Sequence, residues 1–259
     1  MQNKKEVYAK KKFGQNFLKD QNILRKIINV FDVKDQKVLE IGPGRGALTN
    51  YLLNAGAYVT AFEIDTDMVD LLNKEINNPN FELIHQDFLE ADITNFKDTY
   101  IIANIPYYIT TDILFKIFEN KDNFEGVLVM VQKEVAQRVC AKPNTKDYSK
   151  LSVSSQFLAD CKLEFIVPAN AFSPAPKVDS AILSLRFKNN VSLDEWNSIK
   201  DFFKLCFENR RKKLSYSLQN KYPKDHILNI FEQLGYDDNL RIQQLSVEKI
   251  VELFNMLEK

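Results

Sequence analysis

Short apolar runs alternate with amphipathic segments along most of the chain, and this alternation predicts an α/β fold. The apolar runs predict strands at 37–41, 58–62, 81–84, 100–103 and 126–131. Between them, apolar residues recur at helical spacing, as in 20–31, where Ile23 and Ile27 share a face. Strands that alternate with helices favour a Rossmann-like, doubly wound and mostly parallel sheet.

The last third of the chain shows a different pattern. Two apolar runs, 163–167 and 180–187, predict a closing, antiparallel pair of strands. From 188–190 to the end the pattern is helical only. We therefore predict an α/β domain at 1–188 and a small all-helical domain at 189–259.

Composition excludes several classes of protein. Hydrophobic residues make up 45% of the 259 residues, which allows a large core. No run approaches the ~18 apolar residues of a membrane span, and the basic N-terminus lacks the apolar run of a secretory signal. Cys140, Cys161 and Cys206 are far apart, and His85 and His226 lie in unrelated segments. We predict no metal site, no disulfide framework, no His-based triad and a location in the reducing cytoplasm.

A glycine-rich loop at 42–46 (GPGRG) follows the first of these strands and opens a helix. Glycines allow a sharp turn and a close approach to a ligand. Glu63 ends the next strand, 21 residues after Gly42, where a carboxylate can accept both hydroxyls of a ribose. The pair predicts an adenosine-containing cofactor. The loop also fits a dinucleotide fingerprint, so a nicotinamide dehydrogenase and a ligand-free turn stay open as alternatives.

Asp87 follows the third strand and is a candidate for contact with the cofactor's adenine. Its carboxylate suits the adenine amino group, and Ile64 or Phe88 could pack against the ring. Aspartate after a strand is also a common helix N-cap. Spacing alone favours neither role.

The tetrad Asn104-Ile105-Pro106-Tyr107 ends the fourth strand, at the edge where the ligand crevice of such a sheet opens. A turn without chemistry is the alternative, because Asn and Pro are ordinary turn residues. The Asn104 oxygen and a carbonyl near Ile105 or Pro106 suit the two hydrogens of an adenine amino group. Tyr107 can stack on a base held out of its own stack. The tetrad favours adenine methylation, for which orientation supplies much of the rate.

Four segments of the chain form a specific set: 12–18 (KFGQNFL), 40–46 (EIGPGRG), 104–107 (NIPY) and 172–180 (FSPAPKVDS). Together they resemble the ribosomal RNA adenine dimethyltransferase family over nearly the whole chain. Two more segments, 132–138 and 209–214, point to its housekeeping, small-subunit branch. The resemblance implies a class I methyltransferase that uses S-adenosylmethionine.

The resemblance also implies roles for individual residues. Asn16 and Leu18 would close over the cofactor from the N-terminal segment, and Gly42 would face its methionine portion. The full set expected at the cofactor is Asn16, Leu18, Gly42, Gly44, Glu63, Ile64, Asp87, Phe88 and Asn104. The set expected at the target adenine is Asn104, Pro106, Tyr107 and Phe172, with the two aromatic rings sandwiching the base.

The activity implied by the resemblance is dimethylation of two adjacent adenines near the 3′ end of the small-subunit RNA. The expected partner is that RNA within a pre-ribosomal small subunit, and we expect a monomer that does not bind membranes. Ile105 and Tyr108 depart from the leucine and asparagine common in this branch. Isoleucine at the position of Ile105 also occurs in the large-subunit branch, so a large-subunit RNA methyltransferase is one alternative. A nucleic-acid-binding factor that kept the fold and lost catalysis is the other.

Basic clusters are the candidate RNA contacts on a chain whose formal net charge is zero. They are Lys10-Lys11-Lys12, Arg210-Arg211-Lys212-Lys213, and the scattered Lys142, Lys146 and Lys150. Such clusters can grip phosphates, although a single lysine cluster usually is a solvated surface. We interpret the C-terminal helices as an RNA or ribosome docking module, with a purely structural cap as the alternative.

Overall fold

The computed structural model of the protein describes Lys10 and residues 14–259. Lys11 and Lys12 of the first basic cluster, and Phe13 of segment 12–18, lie outside the described residues. Within the described part, no helix combines the length and the apolar character that crossing a membrane requires.

Seven strands of the described chain form one sheet, and most of its pairings are parallel. In chain order they are β2 (Lys37–Ile41), β3 (Tyr58–Glu63), β4 (Phe81–His85), β5 (Thr99–Asn104), β6 (Phe124–Gln132), β7 (Ala159–Val167) and β9 (Ser180–Phe187). Their spatial order is β4-β3-β2-β5-β6-β9-β7. The first five pair in parallel, and β9 runs antiparallel to β6. The carboxyl ends of β2, β3 and β5 therefore meet at one edge.

Helices connect and flank the parallel strands. They are α1 (Gln21–Ile28), α2 (Ala47–Asn54), α3 (Thr66–Glu75), α4 (Thr110–Phe118) and α5 (Lys133–Val139). The central strands are apolar on both faces because both faces are covered: Val127 and Leu128 of β6 point to opposite faces and are 0% and 1% exposed. The predicted doubly wound, mostly parallel fold is confirmed.

Helix α1 shows how local sequence sets an element boundary. The Asp20 side chain accepts the backbone N–H groups of Asn22 and Ile23, at 2.8 and 3.2 Å, and so begins the helix. The helix ends at Ile28, three residues before the predicted end at Phe31. Phe31 is nevertheless 3% exposed, because the following turn still directs it into the core.

A small second sheet was not predicted. Strand β1 (Phe17–Leu18) pairs antiparallel with β8 (Phe172–Ser173). Two-residue strands carry no periodicity, so their pairing is invisible in the sequence. The pairing joins the N-terminal segment to the stretch between β7 and β9.

The described residues form two compact units. The first comprises the described residues up to 136 together with 162–187, and the second comprises 137–161 and 188–259. The sequence placed 137–161 in the α/β domain. In the structure this segment packs with the C-terminal helices, because the Phe157 and Phe203 rings meet edge to face with centroids 5.5 Å apart.

Helices make up most of the second unit, and the part at 189–259 is helical as its pattern predicts. These helices are α6 (Lys150–Leu158), α7 (Leu193–Glu208), α8 (Leu214–Leu218), α9 (Lys224–Gln233) and α10 (Val247–Leu257). Trp196 and Phe203 are 1% and 0% exposed at the centre of this unit. Helix α7 begins with a capping box, in which Ser192 and Glu195 satisfy each other's backbone N–H groups.

Candidate active site

A cavity of about 270 Å³ opens at the carboxyl ends of β2, β3 and β5. Every residue that the sequence assigned to the cofactor lines it. Asn104, Pro106 and Tyr107 of the tetrad line it as well, so the fold brings the glycine loop and the tetrad to one place. This edge is where open α/β sheets bind their ligands.

The glycine loop has a backbone that other residues rarely adopt. Gly42 and Gly44 have φ values of +64° and +55°. A Cβ atom on Gly42 would meet nothing within 4 Å, so the backbone there faces open space. A Cβ on Gly44 would lie 3.0 Å from the Phe17 ring. Gly42 therefore leaves room for a ligand, whereas Gly44 leaves room for the N-terminal segment.

Glu63 ends β3 beside this loop and is 5% exposed. Its Oε2 accepts the Gly44 N–H at 3.1 Å, and its Oε1 accepts the Asp65 N–H at 2.8 Å. Burial raises the pKa of Glu63, and these two hydrogen bonds oppose the rise. Each carboxylate oxygen can accept a second hydrogen bond, so the side chain can hold the loop and still bind two hydroxyl groups.

Glu40 is a residue of this cavity to which the sequence assigned no role. It lies on β2 two residues before Gly42 and is 1% exposed. Thr49 Oγ1 donates to its Oε2 at 2.7 Å, and burial raises the pKa of Glu40 to about 8. The sequence signal that could have identified Glu40 is a carboxylate between the apolar residues of β2.

Glutamine at position 40 is expected to make folding stability less sensitive to pH. The folded protein keeps Glu40 protonated to about pH 8, whereas the unfolded chain releases this proton near the ordinary glutamate pKa of 4.5. Stability therefore falls as pH rises between these values. Melting curves from pH 5 to 9 should show a smaller decline for Glu40→Gln than for wild type.

The exposed Glu82 on β4 provides the matched control for this experiment. The variant Glu82→Gln should retain the wild-type decline. Equal slopes in the wild-type and Glu40→Gln proteins would contradict the assignment of a protonated, buried Glu40.

Asp87 and Phe88 lie on the loop that follows β4. Asp87 Oδ1 accepts the Leu89 N–H at 2.8 Å, so the aspartate caps a turn instead of a helix. Lys116 on α4 supports this loop, because its Nζ donates to the carbonyls of Leu89 and Ala91 at 2.8 and 2.5 Å. Asp87 therefore combines the turn role with a place in the cavity wall.

Asn104, the last residue of β5, has a defined amide orientation. Its Nδ2 donates to the backbone carbonyl of Asn16 at 3.0 Å. Since the nitrogen is engaged there, the side-chain Oδ1 is the group left to accept a hydrogen from a ligand. The Asn16 carbonyl therefore fixes the orientation of the Asn104 amide, with Oδ1 available to a ligand in the cavity.

Tyr107 is anchored by a residue that the sequence reasoning did not single out. Its hydroxyl group shares a 2.5 Å hydrogen bond with Oγ of Ser180, a fully buried residue at the start of β9. Burial raises the pKa of the Tyr107 phenol. Ser180 belongs to segment 172–180, but its spacing from the tetrad gave no sign of this contact.

Phe172 is the one predicted site residue that the structure does not bring to the cavity. It lies on β8, is 2% exposed and packs within the hydrophobic core. Its neighbour Ser173 lines the cavity instead. Base stacking by Phe172 stays a prediction, and in this conformation the ring is occupied by core contacts.

The N-terminal segment, defined here as Lys10 and 14–18, is tied to both sides of the cavity. Lys10 Nζ pairs with Asp65 and Asp67, each at 2.5 Å, and Gln15 Nε2 donates to Asp65 at 2.9 Å. Burial alone would raise the pKa of Asp65, but Lys10 and Gln15 outweigh it and hold the pKa below its ordinary value. At its other end the segment joins β8.

A doubly wound sheet with a glycine loop and carboxylate at one edge, and an Asn-Ile-Pro-Tyr tetrad beside them, defines a class I methyltransferase. The family model of ribosomal RNA adenine dimethylase matches residues 7–259. The chain belongs to the ribosomal RNA adenine dimethylase family.

Individual relatives agree with this family. The chain is 53% identical over 251 residues to ribosomal RNA small subunit methyltransferase A of Mycoplasmopsis synoviae, covering 96% of this chain and 97% of the relative. It is 46% identical to the protein of the same name in Mycoplasmopsis pulmonis, covering 95% and 98%.

Two solved structures share the fold over nearly the whole chain. A dimethyladenosine transferase from Plasmodium falciparum superposes with a TM-score of 0.82 at 28% identity, covering 92% of this chain and 95% of that one. The 23S rRNA methyltransferase ErmE superposes with a TM-score of 0.73 at 29% identity, covering 94% and 100%.

Proposed function

We propose that this enzyme uses S-adenosylmethionine to dimethylate N6 of two adjacent adenines near the 3′ end of small-subunit ribosomal RNA. The observation that carries the proposal is the single cavity shared by Glu63, Gly42 and Asn104. The two relatives named for the small subunit are 53% and 46% identical, whereas ErmE is 29% identical. This difference favours the small-subunit RNA as the substrate.

The polar groups that line the cavity suit S-adenosylmethionine. The cavity volume of about 270 Å³ lies just below the roughly 300–1,000 Å³ typical of ligand sites. Glu63 would accept the ribose hydroxyls, Asp87 the adenine amino group, and the open backbone at Gly42 would face the methionine portion. Ile64 and Phe88 would pack on the adenine ring.

When bound, the cofactor supplies a methyl group on a positively charged sulfur. Asn104 Oδ1 would accept one hydrogen of the target amine and hold its nitrogen toward that methyl group. The Pro106 carbonyl already accepts the Thr110 hydroxyl at 3.2 Å, which favours the Ile105 carbonyl as the second acceptor. These contacts favour a pyramidal, more nucleophilic nitrogen, and orientation supplies much of the rate.

Tyr107 would stack on the target adenine. Its hydroxyl is tied to Ser180 on β9, so the ring has little freedom to turn. A fixed ring loses little conformational entropy when the base binds. Proline at 106 restricts the backbone just before it.

The test of this function is methylation of unmodified ribosomal subunits with labelled cofactor, followed by mass mapping of the modified adenines. We expect two dimethylated adenines near the 3′ end of the small-subunit RNA. Label only in the large subunit would assign the enzyme to that substrate. Tight RNA binding without label transfer would identify a non-catalytic binding protein.

The helical unit carries an exposed basic cluster that suits RNA phosphates. The Arg210 guanidinium donates to the Thr145 carbonyl at 2.8 Å, which joins the loops 141–149 and 209–213 within this unit. Lys142, Lys146, Arg211 and Lys212 are exposed on these loops. Lys213 differs, because its Nζ pairs with Asp238 at 2.8 Å.

The double variant Arg211→Ala/Lys212→Ala is expected to weaken RNA binding with no effect on cofactor binding. Two lost phosphate contacts should reduce the slope of log affinity against log salt by about 1.4–1.8. Titrations of ribosomal RNA at several salt concentrations measure this slope. Lys224→Ala/Lys249→Ala removes two exposed charges from the same unit and serves as the control; an equal change in both variants would contradict a localised RNA contact.

A further inference from the structure

Tyr108 presents a large aromatic ring at the mouth of the cavity. The residue is 63% exposed, the highest value among the exposed large hydrophobic residues of the described chain. It lines the same cavity as Asn104 and directly follows Tyr107. The mechanism above gives this ring no role.

The Tyr108 ring is held in place on one side. A Cβ atom built on Gly14 would lie 3.2 Å from Cδ1 and 3.4 Å from Cε1 of Tyr108. Gly14 has a φ of +60°, a backbone conformation that favours glycine. A side chain at this position would also crowd the Tyr108 ring. One edge of the ring therefore rests on the Gly14 backbone, while most of its surface stays open to solvent.

Tyr107 and Tyr108 belong to one short 3₁₀ turn, Tyr107–Ile109. Such a turn has three residues per turn, so consecutive side chains leave it in directions about 120° apart. The two rings therefore cannot stack on one face of the same base. With Tyr107 assigned to the target adenine, Tyr108 is left to meet a different nucleotide.

The wall of the cavity to which Tyr108 belongs favours a nucleotide as its partner. The same wall carries two cationic side chains, the exposed Lys19 and Arg45, and the Arg45 guanidinium lies 4.5 Å from the centre of the Phe17 ring. Grooves that combine aromatic rings with cationic groups are the usual means by which proteins bind single-stranded RNA. A base that leaves its stack also deprives its neighbour of a stacking partner.

We propose that Tyr108 is a stacking platform for the nucleotide next to the target adenine. This inference rests on the proposed function, because it takes the occupant of the cavity to be an adenine in RNA. The platform replaces the stacking that the neighbouring base loses when the target enters the cavity. Tyr108 thereby contributes to the choice of RNA rather than to methyl transfer itself.

The test compares Tyr108→Ala with Tyr108→Phe in the full chain. The probe is an oligoribonucleotide with the 3′-end sequence of the small-subunit RNA, carrying 2-aminopurine beside the target adenine. We expect Tyr108→Ala to raise the Kd for this RNA about tenfold and to abolish the quenching of 2-aminopurine. Tyr108→Phe should behave as wild type, because stacking needs the ring and not the hydroxyl group.

Tyr58 provides the matched control, because it is 50% exposed but begins β3 at the opposite edge of the sheet. Tyr58→Ala should leave the RNA Kd unchanged. An unchanged RNA Kd in Tyr108→Ala would overturn the proposal. So would a raised Kd for S-adenosylhomocysteine with normal RNA binding, since the ring would then serve the cofactor.

These binding measurements need no turnover. A wild-type protein that transfers no methyl group to ribosomal RNA would overturn the proposed function, whereas the Kd and the 2-aminopurine signal would still decide the role of Tyr108. The two failures are therefore distinguishable.

Discussion

Replacement of Asn104 by alanine is expected to lower the rate of methyl transfer by about 10²–10³-fold or more, with cofactor binding close to normal. The physical reason is the loss of Oδ1, which Asn104 presents to the cavity while its Nδ2 donates to the Asn16 carbonyl. Without this acceptor the target amine is neither oriented nor made more nucleophilic. Single-turnover rates at saturating cofactor and RNA measure the effect.

The variant Asn104→Asp sharpens this test. It keeps an acceptor oxygen of the same size but cannot donate to the Asn16 carbonyl, so it should lose the defined orientation and most of the activity. Asn22→Ala, which removes an exposed asparagine from α1, serves as the control. Near-normal turnover in Asn104→Ala would refute the account of amine activation.

Replacement of Glu63 by alanine is expected to weaken cofactor binding by about 10²–10⁴-fold. Hydrogen bonds to a charged group contribute about 1.5–3 kcal/mol each, and the proposed ribose contact contains two. Glu63→Gln should also bind poorly, because both Glu63 oxygens accept backbone N–H groups and an amide nitrogen cannot accept either one. Calorimetry with S-adenosylhomocysteine measures the Kd.

The control for Glu63 is Asp70→Ala, which removes an exposed carboxylate from α3 in the same unit. Its cofactor affinity should equal that of wild type. An unchanged Kd in Glu63→Ala would remove the ribose assignment, whatever the effect on RNA methylation.

The parallel strands were predictable because each contains a short apolar run, which the sheet buries on both faces in its central strands; the edge strand β4 has no buried residue. The position of the glycine loop, Glu63 and Asn104 followed from the same pattern, since strand ends of a parallel sheet meet at one edge. The glycine loop, Glu63 and Asn104 share one cavity because β2, β3 and β5 are neighbours in the sheet, and the sequence does not show this strand order directly.

The remaining features depend on contacts between distant parts of the chain. The bond between Tyr107 and Ser180 spans 73 positions, and the bond between Asn104 and Asn16 spans 88. No local pattern reports such pairs. For Phe172 the local motif predicted a site residue, but contacts with distant residues decide its position. Its ring packs in the hydrophobic core and is 2% exposed. The segment 137–161 likewise joins the second unit through aromatic contacts that periodicity does not encode.

The hydrogen bond from Asn104 to the Asn16 carbonyl has a consequence for repeated turnover. Under the proposed function, four methyl groups on two adenines require four donor molecules, so the donor must be exchanged between successive transfers. The N-terminal segment lines the cavity, and its Asn16 carbonyl orients the reacting amide. We therefore expect each exchange of donor to disengage Asn104 from its target, so that the RNA is held by its other contacts during the interval.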